Sequence, residues 1–138
     1  MAPAPWLDPE TIRLLLDDTH TWAVVGLSGR KFRPSYGVSE YMQRVGYRII
    51  PVNPGESEIL GEKCYPTILA APGPLDTVTI YLNPSRSTPL IDQIISANPK
   101  RIILNPGAEN PALASHAIQS NIEVLEACTL VLLRTGQF

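Results

Sequence analysis

Cysteine is scarce in this chain of 138 residues: there are two, Cys64 and Cys128, in neither a CxxC nor any other metal-ligand spacing. That excludes a disulfide-stapled secreted scaffold and a thiolate metal site, and a reducing cytoplasm is the expected compartment. No apolar run approaches the roughly 20 residues of a membrane span, and the N-terminus has neither the basic lead nor the apolar stretch of a secretory signal, so a soluble protein with no membrane partner is expected. Charge of one sign is also missing. Lys and Arg number 11 against 13 Asp and Glu, and a pI near 5.6 gives no overall attraction to nucleic acid. An anion site must therefore be a local concentration of cations, and Arg30, Lys31 and Arg33 form one. Histidine is limited to His20 and His116. Neither has a carboxylate or thiol at metal spacing, and each reads as a solvent or capping residue, so no metal is expected.

What is present is apolar sequence, 44% of the chain, enough for a central sheet covered on both faces. Residues 1–7, with Pro3 and Pro5, are expected to be a flexible arm, and residues 8–138 a single domain. Asp8-Pro9 opens a short helix to about Asp18. Trp22-Ala-Val-Val-Gly26 lacks polar alternation, as a strand buried on both faces does. The basic turn follows, with Ser35 suited to cap a helix whose inward face is Val38, Tyr41, Met42 and Val45 and whose stop is Gly46. Tyr47–Asn53 is the second strand, and Pro51 within it demands an edge position or an irregularity. Residues 56–75 are the least regular, with one helical turn at Thr67–Ala71. Asp76–Leu82 is a strand, Thr88–Ala97 a helix, Arg101–Asn105 a strand. A helix capped by Asn110 with Pro111 at its first position runs to about Asn121, and Ile122–Leu125 is the last strand. Strands separated by helices of this length imply right-handed crossovers and an α/β fold with a parallel sheet of about five strands. The apolar tail Cys128–Leu133 reads as a helix or a sixth strand, and as the surface to expect in a homo-oligomer or protein-partner contact.

Ligands of open α/β sheets sit beyond the carboxyl ends of the strands. Those ends are Gly26-Leu-Ser28, Asn53-Pro54-Gly55, Tyr81-Leu-Asn83-Pro84 and Asn105-Pro106-Gly107, three of them Asn-Pro turns. The first turn, with its cations and the helix start behind it, suits a phosphate-bearing ligand. It is not a full GxGxxG fingerprint, because Ser28 and Lys31 stand where glycines are required. Asn53-Pro54 occupies the place of the acid that holds an NAD ribose, and Glu56 lies beyond a Pro-Gly turn, which weighs against NAD. Ser28 is not in a GxSxG elbow, since position 30 is Arg. Cys64 and Cys128 lie in no nucleophile motif, and Glu109, Glu123 and Glu126 include no acid–base spacing. No catalytic residues are assigned, and a binding module rather than an enzyme is expected.

Gly26-Leu-Ser28, Arg33-Pro34-Ser35-Tyr36, Gly46-Tyr47-Arg48 with Pro51-Val52-Asn53-Pro54, and Ile59-Leu60-Gly61-Glu62-Lys63 with Tyr65-Pro66 together resemble the small stand-alone CoA-binding proteins. These are similar to the nucleotide-binding domain of the succinyl-CoA synthetase α subunit. The resemblance extends over residues 8 to 135 and is most specific in the first half. It implies a Rossmann-like three-layer αβα sandwich that binds coenzyme A or an acyl-CoA. It assigns Gly26, Leu27 and Ser28, with Arg30 and Lys31, to the phosphates, and includes Arg33, Ser35 and Tyr36 of the matching helix opening. Val52, Asn53 and Pro54 fall beside the adenosine, Tyr81, Leu82 and Asn83 along the middle of the ligand, and Leu104 and Asn105 toward the pantetheine. A diphosphate and a 3′-phosphate suit three cations better than NAD does; NADP fits for the same reason and stands as the alternative cofactor. The chain departs from the synthetases at Glu56, where they carry a lysine, and at Leu104-Asn105-Pro106-Gly107, where stand-alone relatives carry Trp-x-Gln. The synthetases' phosphorylated histidine belongs to another domain, so the resemblance implies no ligase activity by itself. An NAD(P)-binding oxidoreductase-like domain, or a detached synthetase subunit that needs a partner chain, is the alternative reading.

Overall fold

The computed structural model describes residues 21–135; the expected arm at 1–7, the helix from Asp8 and His20 lie outside them. The fold is α/β and Rossmann-like: a five-stranded parallel sheet in the order β2-β1-β5-β6-β7, with helices on both faces. Its strands are β1 (Thr21–Val25), β2 (Arg48–Val52), β5 (Thr77–Ile80), β6 (Arg101–Leu104) and β7 (Glu123–Glu126). A hairpin of β3 (Glu58–Ile59) and β4 (Glu62–Lys63) stands apart from it. The helices are α1 (Pro34–Arg44), α2 (Pro84–Ser87), α3 (Ile91–Ser96), α4 (Pro111–Gln119) and α5 (Thr129–Arg134).

The central strands bury alternate residues in two separate cores. Ala23, Val25, Val78, Ile80, Ile102 and Leu104 face Ile91 and Ile94 of α3 and Leu113 and Ala117 of α4. Trp22, Val24, Ile49, Ile103 and Leu125 face Val38 and Met42 of α1 and Leu132 of α5. A strand with both faces covered has no reason to alternate polar and apolar residues, which explains the continuous run at Trp22–Val25.

β2 is an edge strand, as Pro51 demands. A residue's N–H and C=O point to the same side of a parallel strand, and the Pro51 carbonyl accepts from the Tyr65 N–H at 3.0 Å on the side away from β1. The missing N–H therefore falls outside the β1–β2 ladder. α1 ends at Gly46 (φ +100), where the Gly46 N–H donates to Gln43 O and the Tyr47 N–H to Met42 O. This is a Schellman stop, and the left-handed φ is why glycine stands there.

Several expectations need correction. Ser35 does not cap α1: the cap position is Arg33, the helix starts at Pro34, and the Ser35 hydroxyl instead accepts the Ser28 N–H at 3.0 Å. Val45 is not an inward residue but 48% exposed at the helix end. The irregular stretch at 56–75 contains the β3–β4 hairpin, turned by Leu60 (φ 55) and Gly61 (φ 79); leucine at the first left-handed position hides the usual Asn-Gly signal. The single helix expected at Thr88–Ala97 is broken. It starts early as α2, capped by Asn83, then tightens into a 3-10 turn at Thr88–Leu90 before α3, because Pro89 has no N–H to donate and clashes with the preceding turn. The tail is resolved as α5, a helix and not a sixth strand. Asn110 caps α4 as expected, accepting from the Leu113 N–H at 3.2 Å, and its amide donates to Ser87 Oγ at 2.8 Å, fastening α4 to α2.

Candidate functional site

The chain runs from β1 outward to β2 and then returns to β5 on the other side of β1. This reversal splays the two connections apart and leaves a crevice at the carboxyl ends of β1 and β5. Across it lies a cleft of about 1320 Å³. Gly26 sits at its base with φ +87, and a Cβ there would lie 2.7 Å from Leu82 Cδ2. Glycine is required twice over, by the left-handed backbone and by the approach of Leu82.

The basic turn is held by its own serines. The Ser28 N–H donates to Ser35 Oγ at 3.0 Å, and the Ser28 hydroxyl accepts the Arg30 N–H at 3.1 Å. These bonds clamp the turn to α1 and leave Arg30, Lys31 and Arg33 exposed on the cleft wall. Arg86 faces the same cleft from α2. Among the described residues, no carboxylate lies within ion-pair distance of any of these four cations, the ion pairs being Lys100–Asp76 and Arg101–Glu123. Unpaired cations gathered around a concavity are a receptor for a multiply charged anion.

The asparagines of the three Asn-Pro turns are spent on the framework. Asn53 Nδ2 donates to Leu27 O at 2.9 Å, while its Oδ1 accepts the Gly55 N–H at 2.7 Å. Asn83 Oδ1 accepts from the Arg86 N–H and the Ser85 hydroxyl. Asn105 Nδ2 donates to Thr79 Oγ1 and Ile80 O, and its Oδ1 accepts the Thr129 N–H. These residues line the cleft but shape it through the loops they lock.

Of the residues singled out in the sequence, Gly26, Ser28, Arg30, Lys31, Arg33, Ser35, Val52, Asn53, Pro54, Tyr81, Leu82, Asn83 and Asn105 all line this one cleft. Leu27 and Leu104 do not. Their side chains are fully buried, Leu27 in the core under α1 and Leu104 in the core under α3 and α4. Tyr36 packs against the former core. Sequence reasoning missed Arg86, Phe32 and Gln93 as lining residues. Arg86 could have been found from its place three residues after a capping Asn, where a helix start turns back toward the rim. Phe32 is 76% exposed with the Arg33 guanidinium 5.6 Å from its ring centroid, an apolar residue amid cations that composition alone does not explain.

The Tyr81 hydroxyl is buried without a hydrogen-bond partner, and burial pushes its phenol well above the usual range. The Cys64 thiol is likewise raised, first by burial, and donates weakly to Asn53 O at 3.4 Å, the environment of a packing residue. Cys128 lines the cleft. His116 is exposed on α4, outside the cleft. Among the described residues, no group of three or more His, Cys, Asp or Glu is placed to hold a metal ion, and no helix is long and apolar enough to cross a membrane.

Known proteins share this architecture and this sequence pattern. The chain is 44% identical to the Bacillus subtilis protein YneT over 70 residues, 51% of this chain and 52% of that one, so the match spans about half the length of its curated relative. A solved structure from Thermus thermophilus superposes with a TM-score of 0.88 at 27% identity, over 96% of this chain and all of the other. A dinucleotide-forming acetyl-coenzyme A synthetase from Ca. Korarchaeum cryptofilum, solved with phosphate and ADP, shares the fold at a TM-score of 0.72 and 22% identity, over 87% of this chain but 28% of the synthetase. A family model described as the CoA binding domain matches residues 20–134, from the start of β1 through α5. With the basic turn, the glycine at the crevice and the Asn-Pro rim all inside that match, the chain belongs to the CoA binding domain family.

Proposed function

We propose that the protein binds coenzyme A, free or acylated, along the carboxyl rim of the sheet, and that it serves in the cytoplasm as a binding or regulatory module. The observation that carries this reading is the set of cations Arg30, Lys31, Arg33 and Arg86, all facing one cleft and none paired with a carboxylate among the described residues. Coenzyme A brings a diphosphate and a 3′-phosphate, and guanidinium and ammonium groups bind phosphate oxygens through charge-assisted hydrogen bonds. In this reading the basic turn takes phosphate, the space between Gly26 and Asn53-Pro54 takes the adenosine, and the apolar wall at Leu82 takes the arm that leads to the thiol. Calorimetric titration of the purified chain with CoA, acetyl-CoA and NAD tests it. Saturable binding of CoA or acetyl-CoA, tighter than NAD, is expected; a preference for NAD overturns it.

A second reading, in which the chain is the nucleotide-binding part of a two-chain synthetase, is favoured by the much longer synthetase that shares the fold over 28% of its length. Affinity capture from the source cell distinguishes the two: a stoichiometric partner that confers ligase activity supports the second reading.

A further inference from the structure

Single exposed apolar side chains are ordinary on a protein surface; the setting of Phe32 is not. Among the described residues the exposed large apolar side chains are Phe32, Val45, Leu69, Ile118 and Val131, and of these Phe32 alone lines the cleft. It is also the aromatic one and the most exposed of the five. Its backbone belongs to a closed turn: the Arg33 N–H donates to Arg30 O at 3.0 Å, which puts Lys31 and Phe32 at the two corner positions. The turn is fastened at both ends, at Arg30 by the Ser28 hydroxyl and at Arg33 by its place as the cap position of α1. The Arg33 guanidinium then sits over the ring, 5.6 Å from its centroid, within the range of a cation–π contact. The ring is thus held from below by a cation while the rest of its surface stands open at the cleft wall.

Phosphate gives such a ring nothing to bind, because the π-face is itself negative and the oxygens go to the cations around it. A ligand that uses both ring and cations carries a flat apolar group close to its phosphates. In CoA the acyl or thiol group lies at the far end of the pantetheine arm, whereas the adenine base is one ribose away from the phosphates. The loop after β2 borders the same space, since the Asn53 amide donates to Leu27 O at 2.9 Å and so lies against the chain entering the basic turn. We infer that Phe32 is the residue on which the adenine base stacks: the base lies between this ring and the Asn53-Pro54 side of the cleft, with the Arg33 guanidinium backing the ring. The inference deepens the reading of the cleft as a CoA site and rests on it. The cations attract any polyanion, and the ring selects those that carry a base.

The test is calorimetric titration of the full chain and its Phe32→Ala, Phe32→Leu and Phe32→Trp variants with CoA, 3′-phosphoadenosine 5′-phosphate, 4′-phosphopantetheine and NAD. The side chain is exposed, so these substitutions leave the core intact. Phe32→Ala should weaken CoA and 3′-phosphoadenosine 5′-phosphate by about fivefold or more, the loss of one base stacked on an aromatic ring, and leave 4′-phosphopantetheine, which has phosphate but no base, unchanged. Phe32→Leu, apolar but without a π-face, should lose as much. Phe32→Trp should keep the affinity, and its added indole emission should be quenched by 3′-phosphoadenosine 5′-phosphate. CoA affinity unchanged in Phe32→Ala overturns the inference. So does an equal loss for 4′-phosphopantetheine, which would mean that the ring acts by placing Arg33 or by meeting the pantetheine arm. NAD separates the inference from the assignment of CoA: if the wild-type chain prefers NAD, that assignment falls, and a matching loss of NAD affinity in Phe32→Ala still supports the stack. If no adenine nucleotide binds, both fall.

Discussion

Asn105 uses its whole amide inside the protein, joining the ends of β5 and β6 to the start of α5, while Thr79 Oγ1 and Thr129 Oγ1 lie 2.9 Å apart beside it. Asn105→Ala leaves the Thr129 N–H and Ile80 O without this partner in a dry setting, and should cost about 2–4 kcal/mol in urea unfolding. Tyr81 presents a different kind of burial. Its folded phenol is raised above the unfolded value of 10, so the unfolded state loses its proton first, and stability intact below that pH is lost as pH rises beyond it. Tyr81→Phe should flatten this alkaline slope, as read by urea midpoints across the range. Lys31 and Arg33 are exposed, so replacing both by Ala should leave the unfolding midpoint unchanged. It should weaken CoA about tenfold or more, since a hydrogen bond to a charged group contributes roughly 1.5–3 kcal/mol. That these cations gather at one place was legible in the sequence from their clustering, and the structure puts all three on the cleft wall. The roles of Asn53, Asn83 and Asn105 were not, because an Asn-Pro pair looks the same whether its amide turns outward to a ligand or inward to a carbonyl.

Among the elements, the five strands of the main sheet and α4 are the parts that sequence reading anticipated best, within a residue or two. Continuous apolar runs specify a strand covered on both faces, and the Asn110-Pro111 pair is a complete helix start. Where the reading failed, tertiary contacts decided. Ser35 looks like a cap but is drawn to the Ser28 N–H. The hairpin at Glu58–Lys63 is tied to α1 by the Gln43 amide donating to Leu60 O at 3.1 Å, a contact between residues whose spacing carries no periodic signal. The joint from β1 into the basic turn is the most constrained of these junctions. Gly26→Ala must pay for a left-handed φ and for the clash with Leu82, and should destabilise the fold by about 1–3 kcal/mol while abolishing ligand binding. The paired change with Leu82→Ala should recover only part of that stability, since the φ penalty remains; thermal melts of the single and double variants check this.

Across the molecule as a whole, a net charge of −2 coexists with a cleft edged by four cations that have no ion-pair partner among the described residues. The field that attracts a polyanion is therefore short in reach, and added salt should weaken CoA binding while leaving the unliganded Tm nearly constant. Ligand should also stabilise by mass action, about 2.7 kcal/mol at a hundredfold excess over Kd, visible as a rise of several degrees in Tm. None of this whole-molecule behaviour follows from composition, which is nearly neutral; it depends on the fold bringing residues 30–33 and residue 86 to one rim.

The margin of the sheet at β2 has a consequence of its own. At its middle the strand offers no donor, because Pro51 has none, and the acceptor beside it already belongs to Tyr65, whose own carbonyl takes the Asn53 N–H at 2.9 Å. A foreign strand arriving there would find nothing left to pair with. The middle of this border is thus a poor template for edge-to-edge pairing, and Pro51→Val, by restoring a donor, should make the purified protein more prone to form fibrils that bind amyloid dyes.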